Sequence, residues 1–255
     1  MRPANTFKDY FSQHADSYAK YRPDYPRALF AHLASLVAKH ERAWDCATGN
    51  GQAALGLTPL FAKIVATDAS AQQISLATPH ERISYVVARS EQPPIASGSL
   101  DLITIAQALH WLDFNAFNTQ VTRVMRPGGV IAAWCYGRAE ITPAVDGIVR
   151  AFQDTIVGPY WPPERRYVDE GYRNIPFPFD EIAPPEFHME ERWNVNDLIG
   201  YLGTWSSTRQ FIKQHNENPV KQVVRDLQSA WGEPAAHRTV RWELSLRVGR
   251  VHPER

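Results

Sequence analysis

Residues 44–54 read WDCATGNGQAA and place an acidic residue and two glycines at the end of an apolar run. Glycine lets the backbone turn sharply and lets a ligand approach the main chain at the start of a helix. Seventeen residues beyond Gly51, Asp68 ends a second apolar run. A carboxylate at that place can accept hydrogen bonds from both hydroxyls of a ribose. Together, Gly49, Gly51 and Asp68 predict a site for an adenosine-type nucleotide.

Two classes of ligand use this geometry, because Gly49, Gly51 and Ala54 also fit the GxGxxG/A pattern of dinucleotide-binding proteins. Asp45 argues against a dinucleotide, since a carboxylate so close to the loop would repel a pyrophosphate and attract the ammonium group of a methionine moiety. The chain also has no Tyr-x-x-x-Lys pair for hydride transfer. A sulfonium cofactor is therefore favoured, and an NAD(P)-dependent oxidoreductase is kept as a rival.

Short apolar runs alternate with helix-like stretches through the first half of the chain. Apolar residues recur at helical spacing from residue 28 to Val37, which predicts a first helix. Five predicted strands follow, at 42–46, 64–68, 83–87, 100–105 and 130–135. Strands that alternate with helices indicate a mostly parallel α/β sheet with helices on both faces.

The second half of the chain has a different pattern. Residues 240–248 alternate between apolar and polar side chains, which predicts a half-exposed antiparallel strand, and Phe187 and Met189, before Trp193, predict a second such strand. Between the core and these strands, residues 157–186 hold seven prolines interleaved with six aromatic residues. Because disordered linkers are poor in aromatic residues, this segment is expected to form a cap.

These patterns divide the chain into four parts. We expect a lid segment at 1–27, a Rossmann-like core at 28–156, a cap insertion at 157–186, and strands and helices at 187–255 that complete the sheet and the cap. Helices are expected at about 195–214 and 218–231, and the first is expected to end or bend around Gly200, Gly203 and Trp205.

Composition excludes several function classes. The 27 basic and 27 acidic residues balance, and no basic run exceeds two residues, so neither nucleic acid nor a membrane surface is an expected partner. The longest apolar stretch is far shorter than the roughly 20 residues that span a bilayer. Cys46 and Cys135 lie far apart and outside any metal-binding motif, which favours a cytoplasmic protein without a metal site. Nothing in the sequence indicates an oligomeric state.

Five groups of residues, in order along the chain, carry a family resemblance. They are 11–18 with 21–26, then 45–51, then 67–70, then 90–94 with 98–102, and finally 107–111 with 123–129. In this order they resemble the class I S-adenosylmethionine-dependent methyltransferases, in particular the branch similar to trans-aconitate methyltransferase. The resemblance implies a seven-stranded sheet whose last strand is antiparallel, with S-adenosylmethionine bound across the carboxyl ends of the first four strands.

The resemblance also assigns roles to residues. It implies that the cofactor is bound by Tyr18, Arg22, Asp45, Ala47, Gly49, Gly51, Asp68, Ala69, Ser90, Glu91 and Gln107. The departures from the family pattern are Ala47, where relatives have a glycine, and Arg89, where many relatives have an acid that holds the adenine. Weaker or shifted cofactor binding is therefore expected.

The acceptor of the methyl group is expected beside the end of the fourth strand. His110 is the candidate catalytic residue, as a base or as an orienting donor, and the candidate substrate-binding residues are Trp111, Trp134, Tyr136 and Trp161. The favoured function is methyl transfer to a small-molecule oxygen, with a carboxylate as the leading acceptor. A carboxylate needs no base, because its reference pKa is about 4. The alternative is a non-catalytic module that binds S-adenosylmethionine or S-adenosylhomocysteine.

Overall fold

The computed structural model describes residues 21–252, so Tyr18 lies outside the described residues. Within that range one sheet contains eight strands. Their bounds are β1 Arg42–Cys46, β2 Lys63–Asp68, β3 Ile83–Val87, β4 Leu100–Ala106, β5 Met125–Tyr136, β6 Asp180–Ile182, β7 Phe187–Trp193 and β8 Arg238–Arg250. The order across the sheet is β3-β2-β1-β4-β5-β8-β6, and β7 also pairs with β8.

The direction of the strands agrees with the prediction. Strands β1 to β5 are parallel to their neighbours, and β8 runs antiparallel to β5. Strands β6 and β7 each pair antiparallel with β8, so they run in the same direction as β5. The mostly parallel Rossmann-like sheet with its last strand antiparallel is therefore confirmed.

The strand count is eight rather than the expected seven, because β6 lies inside the segment predicted to be a cap. Its three residues, Asp180–Ile182, are too few and too polar to show a strand pattern. They pair with residues 248–250 of β8, and β7 pairs with residues 238–244. Strands β6 and β7 thus share β8 as a partner, and the later part of the 157–186 segment belongs to the sheet.

Nine α-helices within the described range cover the sheet and the site. They are α1 Arg27–Ser35, α2 Gln52–Leu57, α3 Ala71–Ser75, α4 Phe114–Val124, α5 Pro143–Ala151, α6 Arg165–Asp169, α7 Val195–Gly203, α8 Ser206–His215 and α9 Val224–Trp231. Single turns of 3-10 helix lie at Leu109–Trp111, Gly158–Tyr160 and Pro219–Gln222, and a π-helical turn at Phe152–Ile156 extends α5. None of the described helices is long and apolar enough to cross a membrane.

Local sequence explains where several helices begin. The side chain of Asn194 accepts the backbone N–H of Asp197 while Asp197 accepts the N–H of Asn194, a capping box that starts α7. Asp113 caps α4 through the N–H of Ala116. The predicted break near Gly203 is present, since α7 ends there and α8 begins at Ser206.

The core lies on both faces of the sheet, because side chains alternate along each buried strand. In β5, Val130, Ala132 and Trp134 belong to one cluster of buried residues. Ile131 and Cys135 belong to the cluster on the opposite face. A strand buried on both faces needs a continuous apolar run, which is why β5 has the longest apolar stretch in the chain.

Candidate active site

The carboxyl ends of the central strands open onto a cavity of about 380 Å³, here called the first cavity. Loops after β1, β2, β3 and β4 line it, as expected for a ligand site in an open α/β sheet. Of the predicted cofactor residues, those on its wall are Ala47, Gly49, Asp68, Ala69, Ser90, Glu91 and Gln107. The structure thus brings together seven residues that are spread over 61 positions of the sequence.

The loop after β1 owes its shape to three residues with left-handed backbone angles. The φ angles are +54° at Ala47, +57° at Gly49 and +90° at Gly51. A residue with a Cβ costs roughly 1–2 kcal/mol in this region, so Ala47 is strained where a glycine would not be. Gly51 itself faces the ring of Tyr85 and does not line the first cavity, contrary to its predicted role as a contact residue.

Asp68 ties this loop to the end of β2. Its carboxylate accepts the backbone N–H of Gly49 at 2.9 Å and that of Ser70 at 2.8 Å. Both bonds are charge-assisted and fix the position of the carboxylate on the cavity wall. The same wall carries Glu91, which forms an ion pair with Arg89 at 3.5 Å.

Asp45 lies beneath the loop and does not line the first cavity. It is 1% exposed, and its oxygens accept hydrogen bonds from the hydroxyls of Thr48 and Thr104. Burial raises its pKa to about 6, against the lowering effect of these hydrogen bonds. The predicted contact of Asp45 with a ligand ammonium is therefore absent from the cavity wall, where Thr48 stands instead.

A second cavity of about 60 Å³ adjoins the first, and Gln107, His110 and Trp111 line both. Its wall includes Arg22 from the segment before α1 and Arg165 from α6. These two side chains are cationic, and the wall contains no carboxylate among the described residues. A small anion is thus the ligand that its charge favours.

Arg22, for which the sequence left open a carboxylate of the methionine moiety or of an acidic acceptor, lines the second cavity and not the first. Its Nη1 donates to the hydroxyl of Tyr136 at 2.9 Å, and its guanidinium lies 5.6 Å from the centre of the Tyr201 ring. Arg165 lies 4.5 Å from the centre of the Trp161 ring and pairs through Nε with Asp169 at 2.9 Å.

Gln107 holds the two cavities together. It has a left-handed φ of +55°, and its side chain both donates to the carbonyl of Tyr136 and accepts the N–H of the same residue, each at 3.0 Å. This pair of bonds fixes the end of β4 against the end of β5. Tyr136, a predicted substrate residue, is thereby placed on the wall of the second cavity.

His110 lies in the 3-10 turn that follows β4, at 7% exposure. Its Nδ1 is 2.8 Å from the hydroxyl oxygen of Tyr172, and its ring lies 4.5 Å from that of Trp111. Burial first, and then the positive charge of Arg165, lower the pKa of His110 to about 3. The imidazole is therefore neutral at physiological pH.

The predicted substrate residues are split by the structure. Trp111, Tyr136 and Trp161 line the second cavity. Trp134 does not, because it is fully buried on the sheet face that packs against α1, with its ring 5.3 Å from that of Tyr25. Because side chains alternate along β5, Trp134 lies on the same face of the sheet as Tyr136 but deeper in the core.

Several wall residues were not found from the sequence. Arg165 of the wall, and Tyr172, which contacts His110 from outside the cavities, lie in the 157–186 segment, whose proline and aromatic composition gives no helix pattern that would orient them. Gln153 lies in the π-helical turn, which carries no sequence signature. Within residues 21–252, no three His, Cys, Asp or Glu side chains come together as metal ligands do.

Comparison with known proteins agrees with this geometry. The profile of a family described as a methyltransferase domain matches residues 44–133, which hold β2 to β4 and most of β1 and β5. A methyltransferase of Dictyostelium discoideum is 32% identical over 229 residues, which is 88% of this chain and 87% of that protein. This chain belongs to the class I methyltransferase family.

Two further relatives support the assignment. A solved structure described as a type II methyltransferase from Anaeromyxobacter dehalogenans is 39% identical, with a TM-score of 0.85 over 92% of this methyltransferase and all of that chain. The methyltransferase AacuQ of Aspergillus aculeatus is 30% identical over 133 residues, 49% of this chain and 43% of that protein. The resemblance to a class I S-adenosylmethionine-dependent methyltransferase is therefore confirmed, while the branch similar to trans-aconitate methyltransferase stays a prediction.

Proposed function

We propose that this methyltransferase moves a methyl group from S-adenosylmethionine to a small-molecule oxygen, with a carboxylate as the favoured acceptor. The observation that carries the proposal is the pair of adjoining cavities, which share Gln107, His110 and Trp111. Two reactants bound in adjoining cavities that meet at the same three residues can approach each other for a direct displacement.

The described residues of the first cavity fit S-adenosylmethionine. Asp68 stands at the strand end where a carboxylate accepts ribose hydroxyls, and the loop around Gly49 brings main chain to the cavity wall. Ser90 and Glu91 offer polar groups for an adenine. The cofactor supplies a methyl group on a sulfonium with a neutral leaving group. The protein therefore has to bind, orient and exclude water rather than supply a metal or a covalent nucleophile.

The second cavity supplies what a carboxylate acceptor needs. Arg22 and Arg165 provide positive charge, and guanidinium groups match the geometry of carboxylates. The aromatic rings of Trp111, Trp161 and Tyr201 surround this charge with apolar surface, which strengthens electrostatic attraction. A nucleic acid is disfavoured as an acceptor by the balanced charge of the chain. A cytoplasmic location, expected from the sequence, stays a prediction.

Calorimetric titration with S-adenosylmethionine, S-adenosylhomocysteine and NAD tests the cofactor. We expect the first two to bind and NAD not to. Binding of NAD alone would replace the proposal with an oxidoreductase. Release of S-adenosylhomocysteine is then followed with panels of small carboxylic acids, alcohols, phenols and amines. Cofactor binding without turnover on any panel would favour a non-catalytic binding module.

A pair of arginine variants tests the acceptor site. Arg22→Met removes a cation from the second cavity, whereas Arg27→Met removes one from the exposed side of α1. For a carboxylic acid acceptor we expect Arg22→Met to raise KM about 10-fold or more, from a charge-assisted hydrogen bond of roughly 1.5–3 kcal/mol, with S-adenosylhomocysteine affinity retained. Equal effects of the two substitutions would contradict the proposed acceptor site.

A further inference from the structure

Tyr172 is a buried residue with no part in the expected site, yet its hydroxyl oxygen is 2.8 Å from Nδ1 of His110. The side chain is fully buried, and the two rings lie 5.8 Å apart at a tilt of 40°. His110 lines both cavities, whereas Tyr172 lines neither. Tyr172 therefore contacts His110 from outside the two cavities.

The direction of this hydrogen bond follows from the burial of the Tyr172 hydroxyl. Burial raises the pKa of this hydroxyl, so the group keeps its proton. A buried hydroxyl proton needs an acceptor inside the protein, and among residues 21–252 the acceptor within reach is Nδ1 of His110. A neutral imidazole that accepts at Nδ1 carries its proton on Nε2.

The position of Tyr172 is itself fixed by β8. Arg247 Nη1 donates to the carbonyls of Tyr172 at 3.0 Å and of Ile175 at 2.7 Å, while the same guanidinium forms an ion pair with Glu181. Tyr172 also has a left-handed φ of +63°, a conformation that a tyrosine keeps only when its surroundings hold it there.

Burial first, and then the positive charge of Arg165 on α6, keep His110 neutral. Arg22, from the segment before α1, and the hydroxyl of Tyr136, from β5, line the second cavity with it. The described wall of the second cavity has no carboxylate, whereas the first cavity, which His110 also lines, has Asp68, Glu91 and Glu164. A histidine whose pKa lies near 3 also makes a weak base at neutral pH, because general bases work best with a pKa near the working pH.

We propose that Tyr172 is a positioning residue that holds His110 with its proton on Nε2. On this proposal His110 is a hydrogen-bond donor to the acceptor, and the second cavity takes an acceptor oxygen that arrives already ionised. This rests on the proposed function and narrows its substrate class to oxygen acids. An electron pair of the ionised oxygen forms the new O–C bond as the S–C bond breaks, the sulfur leaves as a neutral thioether, and no proton has to be removed.

Nitrogen NMR of the labelled full chain tests the tautomer without any acceptor. Long-range ¹H–¹⁵N spectra distinguish a protonated from an unprotonated ring nitrogen, and His110→Gln identifies the signals of His110. We expect an unprotonated Nδ1 and a protonated Nε2 that do not titrate between about pH 5 and 8. A proton on Nδ1, or titration within that range, would overturn the proposal even if cofactor binding is intact.

Two tyrosine variants show whether Tyr172 sets the tautomer. Tyr172→Phe removes the donor to Nδ1, so we expect His110 to populate both tautomers. Tyr160→Phe is the matched control, because the hydroxyl of Tyr160 lies 2.5 Å from Nε2 of His215. This substitution should alter the signals of His215 only. An unchanged His110 pattern in Tyr172→Phe would show that Tyr172 does not position it. The wild-type spectrum decides the tautomer if that variant does not fold.

Turnover of a carboxylic acid separates a donor from a base. His110→Ala should lower kcat/KM about 10-fold to 100-fold, the range expected for loss of a hydrogen bond to a charged group. His110→Gln should recover most of this loss, since its amide also donates a hydrogen bond but cannot act as a base. Equal loss in both variants, with activity rising as a histidine deprotonates, would identify His110 as a general base and overturn the proposal.

Discussion

The buried carboxyl of Asp45 makes a prediction that needs no ligand. Its folded-state pKa of about 6, against an ordinary value of 3.8, means that burial penalises the ionised form. At about 1.36 kcal/mol per pH unit, the difference is about 3 kcal/mol. Because the folded state binds the proton more tightly, this penalty is absent below the ordinary pKa and complete above the folded-state pKa, so stability falls as the pH rises between them.

Asp45→Asn should remove this dependence, since the amide is neutral at every pH and close in shape to the carboxyl. When the pH is raised from about 4.5 to about 7.5, the free energy of unfolding of Asp45→Asn should increase by about 2 kcal/mol relative to that of the wild type. Urea denaturation at the two pH values measures this gain.

The matched control is Asp101→Asn, a variant of a buried carboxylate on β4. Asp101 pairs with Arg126 at 2.6 Å and accepts the N–H groups of Glu41 and Arg42. Its replacement should destabilise the protein, because the guanidinium loses its charged partner.

If the difference in unfolding free energy between Asp45→Asn and the wild type is the same at both pH values, burial does not raise the pKa of Asp45 and the reasoning is refuted.

Three more perturbations follow from the site. Asp68→Ala should weaken S-adenosylmethionine binding at least about 100-fold, because the two ribose hydroxyls each lose a charge-assisted hydrogen bond of roughly 1.5–3 kcal/mol. An affinity near that of the wild type in calorimetry would reject the proposed contact of Asp68 with the ribose. Gly51→Ala should lower the unfolding free energy by about 2 kcal/mol more than Gly49→Ala, since both have positive φ but only Gly51 lacks space for a Cβ. Gln107→Leu leaves the N–H and carbonyl of Tyr136 without their side-chain partner. The free energy of unfolding in urea should fall by about 3 kcal/mol, and a fall below about 1 kcal/mol would show that water replaces the side chain.

The parallel part of the sheet could be predicted from the sequence because its strands are continuous apolar runs ended by chemically distinctive residues. Asp68 is the last residue of β2, Gln107 directly follows β4, and both line the first cavity. Strand ends converge at one edge of such a sheet, so their contacts follow from the fold class alone. The sequence pattern does not show how deeply a side chain is buried beneath the strand ends. For that reason it predicts Asp45 and Trp134 on a cavity wall, whereas both are buried and line neither cavity.

The second cavity was harder to predict, since its residues come from elements without periodic patterns. Arg165 lies in a five-residue helix and Tyr172 in the turn that follows, at a φ that sequence rarely indicates for tyrosine. The place of Tyr172 depends on a contact with Arg247 of β8, 75 residues later in the chain. Such contacts become visible only when the whole fold is assembled.

The pairing of β8 also sets an order for synthesis on the ribosome. Strands β1 to β5 find their partners within residues 42–136, whereas β6 and β7 have β8 as their strand partner and must wait for residues 238–250. Until those residues emerge, β5 presents an unpaired edge, which is the kind of surface on which chains aggregate. Shortening the chain by its last strand should therefore leave β1 to β5 able to pair, whereas β6 and β7 would have no strand partner. We expect the yield of this shortened chain to be lost through aggregation.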